Sequence, residues 1–465
     1  MFSILDTDPR LSRRRLLNIG GLGLGGLTLS SLLGIQAKAS SLKNAVRKKS
    51  VVFLFQQGGP SQFETLDPKP EADDRIRTVN GVIQSSLPGV QLGEHLPRLA
   101  RLAHKFTNVR NFQTLNAGHN IQPIVGPHSL DTSIPVHFSR VVGATHGRTG
   151  MPTSMVLYPQ AVSENVPAGR ARGNLLETGS YGRGYAPFVP GKGGQLQQDM
   201  ELNLSRERFF GDRKALLKGL DRLKREADAN GRLGAMDDLQ QQAYEILLGG
   251  GVSKALDLSL EDPKVLARYD TSQFATQGAW DKVNRGKQGL YDANAGSVGK
   301  LLCLARRLCE AGCGFVTIHA SYAGVWDMHA DGNNLNMVDG MNAIGWSFDH
   351  AVSAFIEDVE ARGMQDDILL ICCGEMGRTP KINKNGGRDH WAKLAPLLLY
   401  GAGFERGQVL GASDRGGGEP ADNPVNPSHL ISTIMNTLFD IGELRLVSGI
   451  PTQVLDLGQK PSIQS

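Results

Sequence analysis

The sequence predicts an α/β fold, a doubly wound, mostly parallel sheet flanked by helices, with a helical insertion. Three observations predict it. Short aliphatic or β-branched runs end in glycine or polar loops, stretches of helical periodicity separate them, and the runs are too apolar to leave one sheet face in water. In chain order the first such run is Val51 to Phe55, followed by the strand-like Phe106 to Arg110. Phe315 to His319 comes next, preceded by a helix over Val298 to Glu310 whose Leu301, Leu302, Ala305 and Leu308 share one face. Ile368 to Cys373 follows a helix over Phe348 to Glu360, and Ala395 to Tyr400 is the last. From Pro123 to Gly194 glycine and proline are frequent, which predicts mostly loop lying over the sheet. Roughly 202–267 has a different composition, with Arg206, Glu207, Arg208, Asp212, Arg213 and Lys214 ahead of Leu216, Leu217, Leu220 and Leu223 at helical spacing, and reads as the helical insertion.

Before the first strand, Ser12-Arg13-Arg14-Arg15-Leu16-Leu17 leads into a glycine-rich apolar run from Ile19 to Ile35 and then Ala37-Lys38-Ala39. Charge, apolar core and small-residue cleavage site in that order are a secretory signal, and the paired arginines point to the twin-arginine route. The expected mature protein is one domain over 40–465 in the periplasm or cell envelope, with no transmembrane anchor after signal removal. Removing residues 1–39 takes the formal charge from +4 to about +1, so the basic excess belongs to the leader and nothing argues for nucleic acid. The five cysteines, Cys303, Cys309, Cys313, Cys372 and Cys373, are odd in number, lie in two apolar segments and contain no C-x-x-C pair. They read as buried thiols, with a bridge from Cys303 or Cys309 as the other reading.

Ligands of open α/β sheets bind beyond the carboxyl ends of the strands. After the first strand comes Gly58-Gly59-Pro60-Ser61-Gln62-Phe63-Glu64, after the Phe315 run Trp326-Asp327-Met328-His329, and after the Ile368 run Gly374-Glu375-Met376-Gly377-Arg378-Thr379-Pro380. Gly387-Arg388-Asp389-His390-Trp391 precedes the last strand. Asp327, His329, Glu375 and His390 are two imidazoles and two carboxylates, a donor set suited to one or two divalent ions, Zn²⁺ or Mn²⁺. Arg378 has the planar fork that holds a tetrahedral oxyanion, or alternatively a local carboxylate. Ser61 lies in a glycine-rich turn as a candidate nucleophile, or simply as a turn residue. Asp389 is a candidate to orient His390 or to move a proton, and His119, in a small polar loop, is the most plausible further histidine. His350, within a helical stretch, reads as structural.

These motifs, running through Thr65-Leu66-Asp67-Pro68-Lys69-Pro70 after the first of them, together with the leader resemble the exported family known as domain of unknown function 1501 from about Val51 to Gly458. That family in turn looks like a sulfatase-like branch of the alkaline-phosphatase superfamily. The resemblance implies one metal site at Asp327, His329 and His390, Glu375 at the second, and Ser61 near the nucleophile position. Three features depart from the superfamily pattern: Gln56-Gln57 stands where an Asp ligand is usual, Glu375-Met376 replaces an Asp-His pair, and the Cys-or-Ser-x-Pro-x-Arg signature is absent. The expected function is hydrolysis of a sulfate or phosphate ester on a small molecule or glycan. The alternative is a catalytically silent protein that binds such a glycan or a surface partner protein.

Overall fold

The computed structural model describes residues 41–146, 149–163, 165–191, 251–275, 285–320, 322 and 324–463. A seven-stranded sheet forms its centre. The strands are β1 (Ser50–Phe55), β2 (Thr107–Val109), β3 (Ser154–Leu157), β4 (Phe315–His319), β5 (Ile368–Cys373), β6 (Leu397–Gly401) and β7 (Gln408–Leu410). Their spatial order is β7-β2-β6-β5-β1-β4-β3. Every pairing is parallel except the two made by β6, which runs against both neighbours, so the sheet is mixed but mostly parallel.

The apolar runs are continuous because both faces are covered. Val52 and Leu54 of β1 and Leu370 and Cys372 of β5 pack into one cluster with α2 (Arg285–Glu310) and α3 (Met337–Ala361). Val51, Phe53 and Phe55, with Leu369, Ile371 and Cys373, point the other way into a cluster with α1 (Ile134–Val142) and α4 (Pro427–Leu438). This alternation is the period of two that a strand imposes. All five cysteines are buried and free, which leaves the expected thiols and not the bridge.

Four of the predicted strands match to within two or three residues, and Phe106 to Arg110 holds the three-residue β2. The described part of Pro123 to Gly194 is mostly loop, as expected, and also holds α1 and β3, Ile134–Val142 and Ser154–Leu157, both buried. Short runs beside prolines hide an element whose hydrogen bonds come from distant strands. The expected signal over 1–39 and most of the insertion over 202–267 lie outside the described residues; within 251–275 there are short helices at Gly251–Leu256 and Pro263–Arg268. Among the described residues no helix is long and apolar enough to cross a membrane.

Candidate metal centre

Parallel pairing brings the carboxyl ends of β1, β4 and β5 to one edge, and because β6 is antiparallel, the segment entering it reaches the same edge. Gly58, Asp327, Glu375 and His390 therefore meet despite spanning more than three hundred positions of chain. The contact is close enough that Gly58 must be glycine: its φ is +117°, and a Cβ there would come within 2.8 Å of the backbone nitrogens of Trp326 and Asp327. Its N–H donates to the Glu375 carboxylate at 2.8 and 3.0 Å.

Asp327 is the hub. Three imidazole Nε2 atoms surround its buried carboxylate: His119 at 2.9 Å and His329 at 3.1 Å from Oδ2, and His390 at 3.2 Å from Oδ1. Burial opposes its ionisation, but hydrogen bonds to these three rings and the Arg378 charge hold it well below the usual carboxylate range. Ligand atoms of His119, Asp327 and His390 all lie within 4.8 Å of one another, close enough to share one ion. His329 stands just outside this trio.

The tautomers indicate what belongs among these groups. His390 Nδ1 is 3.0 Å from the carbonyl of Ala117, which can only accept, so Nδ1 carries a proton and Nε2 is the atom turned toward Asp327. The Asn334 amide lies 3.0 Å from His329 Nε2 and 3.2 Å from Asp327 Oδ2 and holds that ring beside the carboxylate. Imidazole nitrogens and a carboxylate that face one another at such distances draw a cation, a proton or a metal ion, between them. The donor set of imidazole nitrogens and a carboxylate, each oriented from behind, fits a divalent ion.

Glu375 and His119 form a pair, with His119 nearer to Asp327 than Glu375 is. Glu375 is fully buried, accepts the Gly58 N–H and lies 3.0 Å from His119 Nδ1, so it backs His119 where a direct ligand was expected. Burial pushes its carboxyl up, partly offset by the His119 hydrogen bond. For His119, burial works against the charged ring, but the hydrogen bonds to Asp327 and Glu375 outweigh it and raise its pKa. Nothing in the local sequence marks His119 as central; it reaches Asp327 because Asn120, next to it, is tied by its carbonyl to Gln57 at the end of β1 (2.7 Å).

The remaining sequence candidates are held elsewhere. Arg378 is completely buried and donates to the carbonyls of Gly58, Gly59, Trp326 and Arg388 and, at 2.8 Å, to Asp327 Oδ1. Its fork binds the three loops together and offsets the Asp327 charge, in place of the oxyanion role. Ser61 donates to Glu64, which is buried against Arg388, itself stacked 4.2 Å from the Phe63 ring centroid. The Gly58-to-Glu64 motif thus builds a rigid turn. Asp389 is exposed and accepts from Asn383 at 3.1 Å, so the orientation of His390 falls to the Ala117 carbonyl. Ser61→Ala is accordingly expected to leave bound metal unchanged and any ester turnover within about tenfold of wild type, the scale of one lost hydrogen bond; a complete loss of turnover with metal retained would restore Ser61 as nucleophile.

The family described as protein of unknown function (DUF1501) matches residues 48–446. No curated protein matches the chain. Similar solved structures include Ps i-CgsB, at 9% identity over 90% of this chain and 78% of that one with a TM-score of 0.34. The PsFucS1 sulfatase from Pseudoalteromonas sp. is similar at 13% identity over 82% and 69%, TM-score 0.26. The phosphonate monoester hydrolase SpPMH from Silicibacter pomeroyi is similar at 12% identity over 90% and 78%, TM-score 0.26. At such values the fold is read from the chain's own sheet.

Proposed function

This chain belongs to the DUF1501 family, and from the centre that the family's motifs assemble here we propose that it is a metal-dependent hydrolase of sulfate or phosphate esters. We place it in the sulfatase-like branch of the alkaline-phosphatase superfamily, exported by the twin-arginine route to the periplasm or envelope. What supports the activity is one observation above all: ligand atoms of His119, Asp327 and His390 converge within 4.8 Å of one another at the carboxyl ends of the strands, with two of the rings oriented from behind. His119, Asp327 and His390 would hold the ion, with His329 at their side. Glu375 and the Ala117 carbonyl fix the rings, and Arg378 keeps Asp327 ionised and in place. When bound, Zn²⁺ or Mn²⁺ would supply Lewis-acid polarisation of an ester oxygen and activation of water. One specific observation favours a second reading, a silent oxyanion-binding protein: the Ser61 hydroxyl and the Arg378 guanidinium are both engaged within the protein.

Elemental analysis of the mature protein beside His390→Ala tests the reading. The expected result is one or two divalent ions per chain in the wild type, lost together with turnover of an aryl sulfate or phosphate in the variant. Turnover that persists without metal would refute it, and metal without turnover of either ester would favour the silent protein.

A further inference from the structure

Gln57, in the Gln56-Gln57 pair at the end of β1, is engaged within the fold. Its amide accepts the backbone N–H of Arg172 at 3.0 Å, donates back to the Arg172 carbonyl at 3.1 Å, and also accepts from His319 Nε2 at 2.9 Å. It is buried, as is His319. The end of β1 thereby clamps the backbone of Arg172 to the loop that carries His119. The Arg172 side chain is exposed, and its guanidinium makes no hydrogen bond or ion pair among the described residues.

A second cation, on α2, is its electrostatic neighbour. Lys287 is half-buried; its ammonium donates to the Asn333 carbonyl at 2.6 Å and to Asn334 Oδ1 at 3.0 Å, which occupies two of its three N–H groups. The other end of the Asn334 amide is on Asp327 and His329, so Lys287 is one side chain removed from the metal centre. Its ammonium lies 5.7 Å from the Tyr322 ring centroid, and Tyr322 is bridged to Arg170, two residues before Arg172. Among its electrostatic neighbours are Asp331, Asp327 and Arg172.

We propose that Arg172 and Lys287 form a clamp for a tetrahedral oxyanion, the phosphoryl or sulfuryl group of the substrate, at the side of the His119–Asp327–His390 centre. Arg378, with its donors on backbone carbonyls and Asp327, leaves that function unfilled, and a guanidinium fork and an ammonium with an open N–H, linked through Tyr322 and Arg170, suit a tetrahedral group with several oxygens. The inference rests on reading the centre as the place where the ester is held. It makes Gln57 a positioning residue, since it acts only through the Arg172 backbone.

Calorimetric titration of the full mature protein with inorganic phosphate, inorganic sulfate and, as a planar control, acetate tests the clamp, with metal content measured in parallel. Wild type is expected to bind phosphate or sulfate in preference to acetate, and whichever of the two binds more tightly names the ester. Arg172→Ala and Lys287→Met are each expected to weaken that binding about tenfold or more, the effect of one lost charge-assisted hydrogen bond, with metal content unchanged. Lys287→Arg should restore part of it. Equal binding by wild type and both variants, or metal-loaded wild type that binds neither oxyanion, would overturn the clamp while leaving the metal centre standing. Arg172-dependent binding by a protein without metal would keep the clamp and remove the hydrolase.

Discussion

Asp327→Ala is expected to strip the protein of its divalent ion, lower ester turnover by about a thousandfold or more, and reduce the unfolding free energy by about 3–5 kcal/mol. The three effects share one cause. Asp327 is the carboxylate on which three imidazoles and the Arg378 guanidinium converge. Without it the trio loses its one anionic ligand, and Arg378, completely buried, keeps its carbonyl partners but no counter-charge within hydrogen-bonding distance. Breaking a buried pair by removing one partner leaves an uncompensated charge, which costs more than the pair contributes. Elemental analysis and urea denaturation of the variant beside His390→Ala separate the effects, because His390→Ala removes a ligand and leaves the Arg378 pair intact. If the two variants were equally stable, Arg378 would not depend on Asp327 for its charge balance.

The second large effect is expected far from the metal centre. Arg306, on α2, is buried and donates to Asp358 at 2.8 Å and to Glu261 and Glu310 at 2.6 Å each. Asp358, on α3, also accepts from Tyr269 and Arg362, so this network fastens the 251–275 segment to the two long helices. Arg306→Leu should cost about 3 kcal/mol, towards the lower end for a broken buried pair because Arg307 and Arg362 still reach Glu261. The network also sets an acid limit. Burial raises the Glu261 pKa, but hydrogen bonds from Arg306 and Arg307 outweigh this and hold it at about 2. A carboxylate whose pKa is lowered by folding stabilises the folded state above its unfolded pKa, and that contribution disappears as pH falls through about 2. Urea midpoints followed from pH 7 downward should therefore decline less in Glu261→Gln than in wild type; parallel declines would show that Glu261 is not the group that titrates.

Particular residues mark how far the sequence could be read. Val51 to Phe55, Phe315 to His319 and Ile368 to Cys373 announced buried parallel strands by composition, and the rule that ligands gather at carboxyl ends then led to Asp327, His329, Glu375 and His390. The same rule gave no means of ranking them. His119 was a lone loop histidine in sequence and lies at the middle of the centre in space. Lys287 and Arg172 gave no local signal, since each matters through a partner tens to hundreds of residues away.

What the sequence by itself determined is the layered α/β class, the edge of the sheet at which chemistry gathers, and the residue types present there, because burial on two faces and strand-end loops leave a local imprint on composition. What only the tertiary structure decided is which atom of each side chain faces which partner. Glu375 stands behind His119, Arg378 is engaged by backbone carbonyls, and Ser61 turns to Glu64, because buried donors and acceptors must all be satisfied and the nearest partner in space claims each one.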